Sequence, residues 1–136
     1  MKQDRVYVVQ AMTTIWYIDD DSEMIQAVGL MLKLLNYETT PFLDARKAAR
    51  KLLAGERPDV FLLDINMPNV SGLDFLEFIR RRTEWQDLPV VMLSSEAADI
   101  QVDAALELGA DTYIFKPVTI EELEQAIKMA QSKRGG

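Results

Sequence analysis

Three consecutive carboxylates, Asp19-Asp20-Asp21, close a short apolar run, Ile15-Trp16-Tyr17-Ile18. A further carboxylate, Asp64, closes another, Val60-Phe61-Leu62-Leu63. Ser94 follows Leu88-Pro89-Val90-Val91-Met92-Leu93, and Lys116 follows Thr112-Tyr113-Ile114-Phe115. Each polar group thus ends a stretch that reads as a strand. Clustered carboxylates raise one another's pKa unless a cation neutralises them. The chain has no histidine and no cysteine, so its candidate ligands are hard oxygens, and a divalent cation of the magnesium kind is their natural occupant. An ammonium and a hydroxyl beside such a cation suit a tetrahedral dianion such as phosphate. Asp64 is then the candidate phosphoryl acceptor, since aspartate can carry an acyl phosphate in covalent catalysis.

The elements that must position these groups can be read along the chain. The run 60–63 is apolar throughout, as in a strand buried on both faces of a parallel sheet. After Asp64, Pro68 blocks further strand or helix, and Ser71 with Asp74 makes a capping-box start for a helix to about Arg82. Before it, Met24, Val28, Met31, Leu32 and Leu35 mark an amphipathic helix from Ser22 to Leu35, with Asn36 as its stop. Glu38 to Phe42 reads as a strand that Pro41 weakens, and Asp44 caps a helix running to Ala54 before Gly55. Its basic residues, Arg46, Lys47, Arg50 and Lys51, read as a solvated face. Arg80-Arg81-Arg82 complement a helix dipole. A helix from about Ala97 to Leu108 stops at Gly109, and Thr119 with Glu122 makes a capping box for a last helix that buries Ile120, Leu123, Ile127 and Ala130. Strands alternating with helices over short links imply an α/β fold with parallel strands and right-handed crossovers. In such a sheet every strand ends on one edge, so Asp19, Asp20, Asp64, Ser94 and Lys116 converge at one crevice.

Composition narrows the function classes. The 136 residues suffice for one domain with a core, and 49% apolar with 27% charged residues suit a globular chain. The absence of histidine excludes a phosphohistidine carrier, histidine-ligated zinc and any histidine-based triad. The absence of cysteine excludes disulfides and is compatible with a cytoplasmic setting. No apolar run approaches the roughly 18 residues of a membrane span. A formal charge of −7 argues against a direct grip on nucleic acid by this domain. Residues 1–12 read as an N-terminal extension in which Val6-Tyr7-Val8-Val9 could form a strand, 13–131 as the domain, and 132–136 as a C-terminal tail or the start of a linker.

The motifs Ile18-Asp19-Asp20-Asp21, Leu62-Leu63-Asp64-Ile65-Asn66-Met67-Pro68 with Ser71-Gly72, Leu93-Ser94-Ser95 and Tyr113-Ile114-Phe115-Lys116-Pro117, in this order, resemble the response-regulator receiver domain of two-component signalling. The resemblance implies a doubly wound (βα)5 fold of the flavodoxin-like, chemotaxis-regulator type: a three-layer sandwich around a parallel five-stranded sheet of order 2-1-3-4-5. It implies that Asp20 and Asp64 bind Mg2+ directly, that Asp19 helps through water, and that the Asn66 backbone carbonyl is a further ligand. It implies that Asp64 takes a phosphoryl group from a sensor histidine kinase or a histidine phosphotransfer protein. Ser94 would then hydrogen-bond the phosphoryl oxygens, Lys116 would pair with them, the Lys116-Pro117 peptide would be cis, and Tyr113 would be the aromatic switch that turns inward as Ser94 moves. Such a chain is not an enzyme in the usual sense but a phosphoacceptor that catalyses its own phosphorylation and dephosphorylation. Ser94 stands where the family often has threonine, which bears on switch packing rather than on phosphorylation.

The resemblance further implies an output surface on the fourth helix, fifth strand and fifth helix, read by a downstream effector, by an attached output domain, or by a second copy in a homodimer. From Ser94 to Ile127 there are eight acids and one base, Lys116, so a partner there would present basic groups. One reading makes the chain the N-terminal receiver of a longer transcriptional regulator. A reading of another class is an aspartyl-nucleophile phosphatase of the haloacid-dehalogenase type. Those enzymes usually place a second aspartate two residues after the nucleophile, where this chain has Asn66.

Overall fold

The computed structural model describes residues 12–67, 70–95 and 99–134, with the side chains of 99 and 100 excepted. Within them the strands are β1 (Thr14–Ile18), β2 (Glu38–Phe42), β3 (Val60–Asp64), β4 (Val90–Ser94) and β5 (Thr112–Phe115). The helices are α1 (Ser22–Leu34), α2 (Ala45–Leu53), α3 (Gly72–Arg81), α4 (Asp99–Glu107) and α5 (Ile120–Lys133). The strands form one parallel sheet in the order β2-β1-β3-β4-β5, as expected. The chain therefore has the doubly wound, flavodoxin-like architecture.

Strand alternation sorts the core into two layers. Trp16, Ile18, Phe61, Leu63, Val90 and Met92 face one way and pack against α2, α3 and α4. Ile15, Tyr17, Val60, Leu62, Val91 and Leu93 face the other way and meet α1 and α5. β3 and β4 are buried along their whole length, which explains their uninterrupted apolar runs. β2 is an edge strand, and Pro41 sits there, where a missing N–H is tolerated.

The helix boundaries follow their caps. Asp21 accepts from the Glu23 and Met24 N–H groups to start α1, and Asn36, at φ 66°, ends it. Ser71 and Asp74 form the full reciprocal capping box at α3. At α5 the box is only half made. Thr119 accepts from the Glu122 N–H, but the Glu122 carboxylate takes the Thr119 hydroxyl rather than the cap N–H.

Several boundaries depart from the sequence reading. β4 starts at Val90, two residues late, because Thr83–Trp85 forms a 3-10 turn and Leu88 N–H bonds back to Trp85. α5 runs on through Ser132 and Lys133, into the stretch expected to be a tail. Arg134 beyond it is held by Asp111 at 2.7 Å and by the Gly109 carbonyl at 2.8 Å. Arg80 also does more than complement the α3 dipole. It is largely buried, paired with Asp111 at 3.2 Å and donating to the carbonyls of Gly109, Trp85 and Gln86. Val6–Val9, Pro68 and the expected start of α4 at Ala97 lie outside the described residues.

Candidate phosphoryl and metal site

The C-terminal edge of the sheet gathers the groups that the sequence singled out. Asp19 follows β1, Asp64 ends β3, Ser94 ends β4 and Lys116 follows β5. Asp19, Asp64 and Ser94 are buried, while Asp20 is exposed at the rim. One carboxylate oxygen from each of Asp19, Asp20 and Asp64 lies within 4.8 Å of the others. Lys116 Nζ stands 3.4 Å from Asp64 Oδ1 and 3.8 Å from Asp19 Oδ2. Its backbone N–H donates to the Ser94 carbonyl at 2.8 Å, one residue beyond Phe115, the β5 partner of Ser94, so the end of the ladder ties the lysine to the serine's strand.

Electrostatically the cluster is short of positive charge. Burial raises the Asp64 carboxyl to about 6, and the Asp19 carboxylate adds to the shift against the pull of Lys116 and of the Asn66 N–H. Three carboxylates, all hard oxygen ligands and offset by a single ammonium, fit a divalent cation such as Mg2+. Asp19, Asp20 and Asp64 are the side chains that would hold it.

The loop after β3 is shaped around Asp64. Asn66 N–H donates to Asp64 Oδ1 at 3.3 Å, and Gly72 N–H donates back to the Ile65 carbonyl at 3.0 Å. A β-carbon on Gly72 would overlap the Asp64 carbonyl oxygen and stand 2.8 Å from Ile65 Cα, so α3 begins directly against the backbone at the end of β3. The Asn66 side chain reaches across to the next strand end. It donates to Ser95 Oγ at 3.2 Å and accepts from Gln101 Nε2 at 3.3 Å.

Over residues 15–128 the chain matches the response regulator receiver domain. It belongs to the response-regulator receiver family. Among the receiver's relatives is the transcriptional regulatory protein PrrA of Mycobacterium leprae, 34% identical over 87% of this chain and 49% of PrrA. Chemotaxis protein CheY1 of Helicobacter pylori is 31% identical over 82% of this chain and 91% of CheY1. The receiver thus spans about half the length of the first regulators it matches, and most of the length of CheY1. Among solved structures, a CheY-like receiver from Methanospirillum hungatei superposes with a TM-score of 0.80 at 25% identity, covering 92% of this chain and 98% of that one. Vibrio cholerae CheY4 does so at 0.79 and 28% identity, covering 87% and 98%.

The remaining receiver positions fall as follows. The Lys116-Pro117 peptide is cis. Tyr113 points outward at 43% exposure, its ring 5.2 Å from that of Phe115. Tyr17 was not singled out by the sequence reading. Its hydroxyl donates to Asp19 Oδ2 at 2.7 Å, and burial drives its own pKa up. The available signal was a phenol within an otherwise buried strand, two residues before an acid and therefore on the same face.

Proposed function

We propose that the receiver is a phosphorylation-activated switch in which Asp64 is the phosphoacceptor. The observation that carries the reading is the ammonium of Lys116 placed 3.4 Å from the Asp64 carboxylate, beside two further acids within 4.8 Å. A phosphohistidine of a sensor kinase or phosphotransfer protein supplies the group. An Asp64 oxygen bonds to phosphorus as the P–N bond breaks, and the departing imidazole takes its proton from solvent. Bound Mg2+ would neutralise charge on the acids and on the incoming phosphoryl oxygens. Asp19, Asp20, Asp64 and the Asn66 carbonyl are its proposed ligands. Lys116 pairs with the phosphoryl oxygens and Ser94 donates to them.

Phosphorylation then adds charge and acceptor oxygens next to Ser94 and Lys116, biasing a two-state element. Tyr113 is the proposed reporter of that change, turning in from its outward position. The surface it would alter is a groove of about 400 Å3 between α4, β5 and α5, with Leu106, Tyr113 and Met129 in its lining. Asp103, Glu107, Glu121 and Glu122 are exposed on these helices, which favours an effector with basic groups. A cytoplasmic location follows from the same reading.

The reading is tested with acetyl phosphate and Mg2+. Acid-stable, base-labile label should appear on the wild-type chain and be lost on Asp64→Asn and on chelation. A wild-type chain that takes no label would falsify it. The 49% coverage of PrrA favours a second reading, in which this receiver works as the N-terminal part of a longer transcriptional regulator.

A further inference from the structure

Asp19 is the most deeply enclosed of the clustered acids, at 0% exposure, so solvent cannot supply its hydrogen bonds. The protein supplies them instead. Asp21 N–H donates to Oδ1 at 3.0 Å, and the Tyr17 hydroxyl donates to Oδ2 at 2.7 Å. Tyr17 is itself fully buried among the residues packed against α1 and α5. Its phenol therefore has its described hydrogen bond only at Asp19, and the two groups satisfy each other. The same oxygen that takes the hydroxyl is 3.8 Å from Lys116 Nζ, which lies closer to Asp64 at 3.4 Å. Asp19 thus takes a neutral donor from inside the core on the oxygen that faces Lys116, while Lys116 stands nearer to Asp64.

We infer that Tyr17 is a positioning residue for the metal site, holding the buried Asp19 carboxylate through its hydroxyl in the metal-free receiver and so weakening Mg2+ binding. The inference rests on the reading of Asp19, Asp20 and Asp64 as the metal site. The physical argument is one of linkage. Before a cation arrives, the hydroxyl withdraws negative charge from Asp19 and lowers its repulsion with Asp64. Once a cation neutralises the cluster, that service is worth less. An interaction that favours the metal-free state more than the metal-bound state lowers affinity for the metal. A phenylalanine at this position keeps the ring in the core and removes only the donor.

Tyr17→Phe separates this role from simple packing. Mg2+ affinity is measured by calorimetric titration of the wild-type and variant chains, and melting temperature is measured for both with chelator and with saturating Mg2+. The variant is expected to bind Mg2+ about 3- to 10-fold more tightly, corresponding to part of the cost of one lost buried hydrogen bond. Its melting temperature should fall more in chelator than in Mg2+. An unchanged or weaker affinity, or equal melting losses in both conditions, would overturn the inference and make Tyr17 a core residue only. A variant unfolded both with and without Mg2+ would overturn it too, because the cation would be restoring nothing. A wild-type chain that binds no Mg2+ would instead remove the metal reading on which the inference stands.

Discussion

Gly72 at the start of α3 leaves no room for a β-carbon between itself and the Asp64 carbonyl oxygen. The helix that follows β3 is therefore seated on that strand's last peptide, and the Gly72 N–H bond to the Ile65 carbonyl keeps it there. Gly72→Ala must push α3 away from Asp64 or move the loop that carries Asn66. Overpacking of this kind costs about 1–3 kcal/mol, to be measured by urea unfolding. If the seat serves the site, phosphoryl labelling from acetyl phosphate should drop by more than the unfolded fraction explains.

The raised Asp64 carboxyl makes metal-free stability depend on pH. The folded-state value of about 6 lies above the ordinary 3.8. The folded chain therefore holds the proton more tightly than the unfolded chain, and stability from this group is greatest at low pH. It is lost as pH rises from about 4 through 6 and is fully lost above that. In chelator, wild type should lose up to about 3 kcal/mol over this window relative to Asp64→Asn. Above pH 7 the Asn variant should be the more stable protein, and saturating Mg2+ should narrow the gap. Denaturant titrations at a series of pH values check this, and a parallel pH dependence of the two proteins would contradict it.

The site was legible in the sequence because each of its groups ends an apolar run. A parallel sheet turns that one-dimensional pattern into a shared edge, which is how Asp19, Asp64, Ser94 and Lys116 meet. What escaped were contacts set by packing rather than by period. Tyr17 alternates correctly as a core residue, yet nothing in its spacing says that the hydroxyl has a carboxylate within reach. Arg80 looked like one of three dipole-complementing arginines. Its true partner, Asp111, lies 31 residues away and is brought near only when α3 packs beside the start of β5. Arg134 looked like linker because a run of polar residues around it carries no signal of the buried carboxylate it meets.

The Arg80-Asp111-Arg134 cluster ties α3, β5 and the end of α5 together at the edge of the sheet opposite the site. Asp111 is buried, accepts from both guanidinium groups, and also takes the Val90 N–H at 2.9 Å. Burial and the neighbouring Arg134 lower the Arg80 pKa to about 10, against the opposing pull of Asp111 and Asp87. Removing that carboxylate leaves positive charge enclosed without compensation. Asp111→Ala should cost about 3–5 kcal/mol, whereas Arg134→Ala, at a more exposed position, should cost less. Labelling of the folded fraction should be unaffected, since the cluster is remote from Asp64. Equal, small losses in both variants would show that the cluster is not a structural tie.

The face formed by α4, β5 and α5 should discriminate its effector by charge. Lys128 is engaged with Glu124 at 3.4 Å, and Lys133 donates to the Asp111 carbonyl at 2.8 Å. Glu107 and Glu121 are exposed and enter none of the ion pairs among the described residues. Two copies meeting through this face would bring like charges together, which disfavours self-association relative to a basic partner. The double reversal Glu107→Lys with Glu121→Lys should therefore weaken effector binding about tenfold or more at low salt, with the difference shrinking as salt screens the rim. Phosphoryl labelling from acetyl phosphate should be the same in both proteins, because neither residue touches the acid cluster. Calorimetry at two salt concentrations reads the effect directly. Binding that ignores the reversal would assign recognition to the apolar groove lining, Leu106, Tyr113 and Met129, instead of to the acids around it.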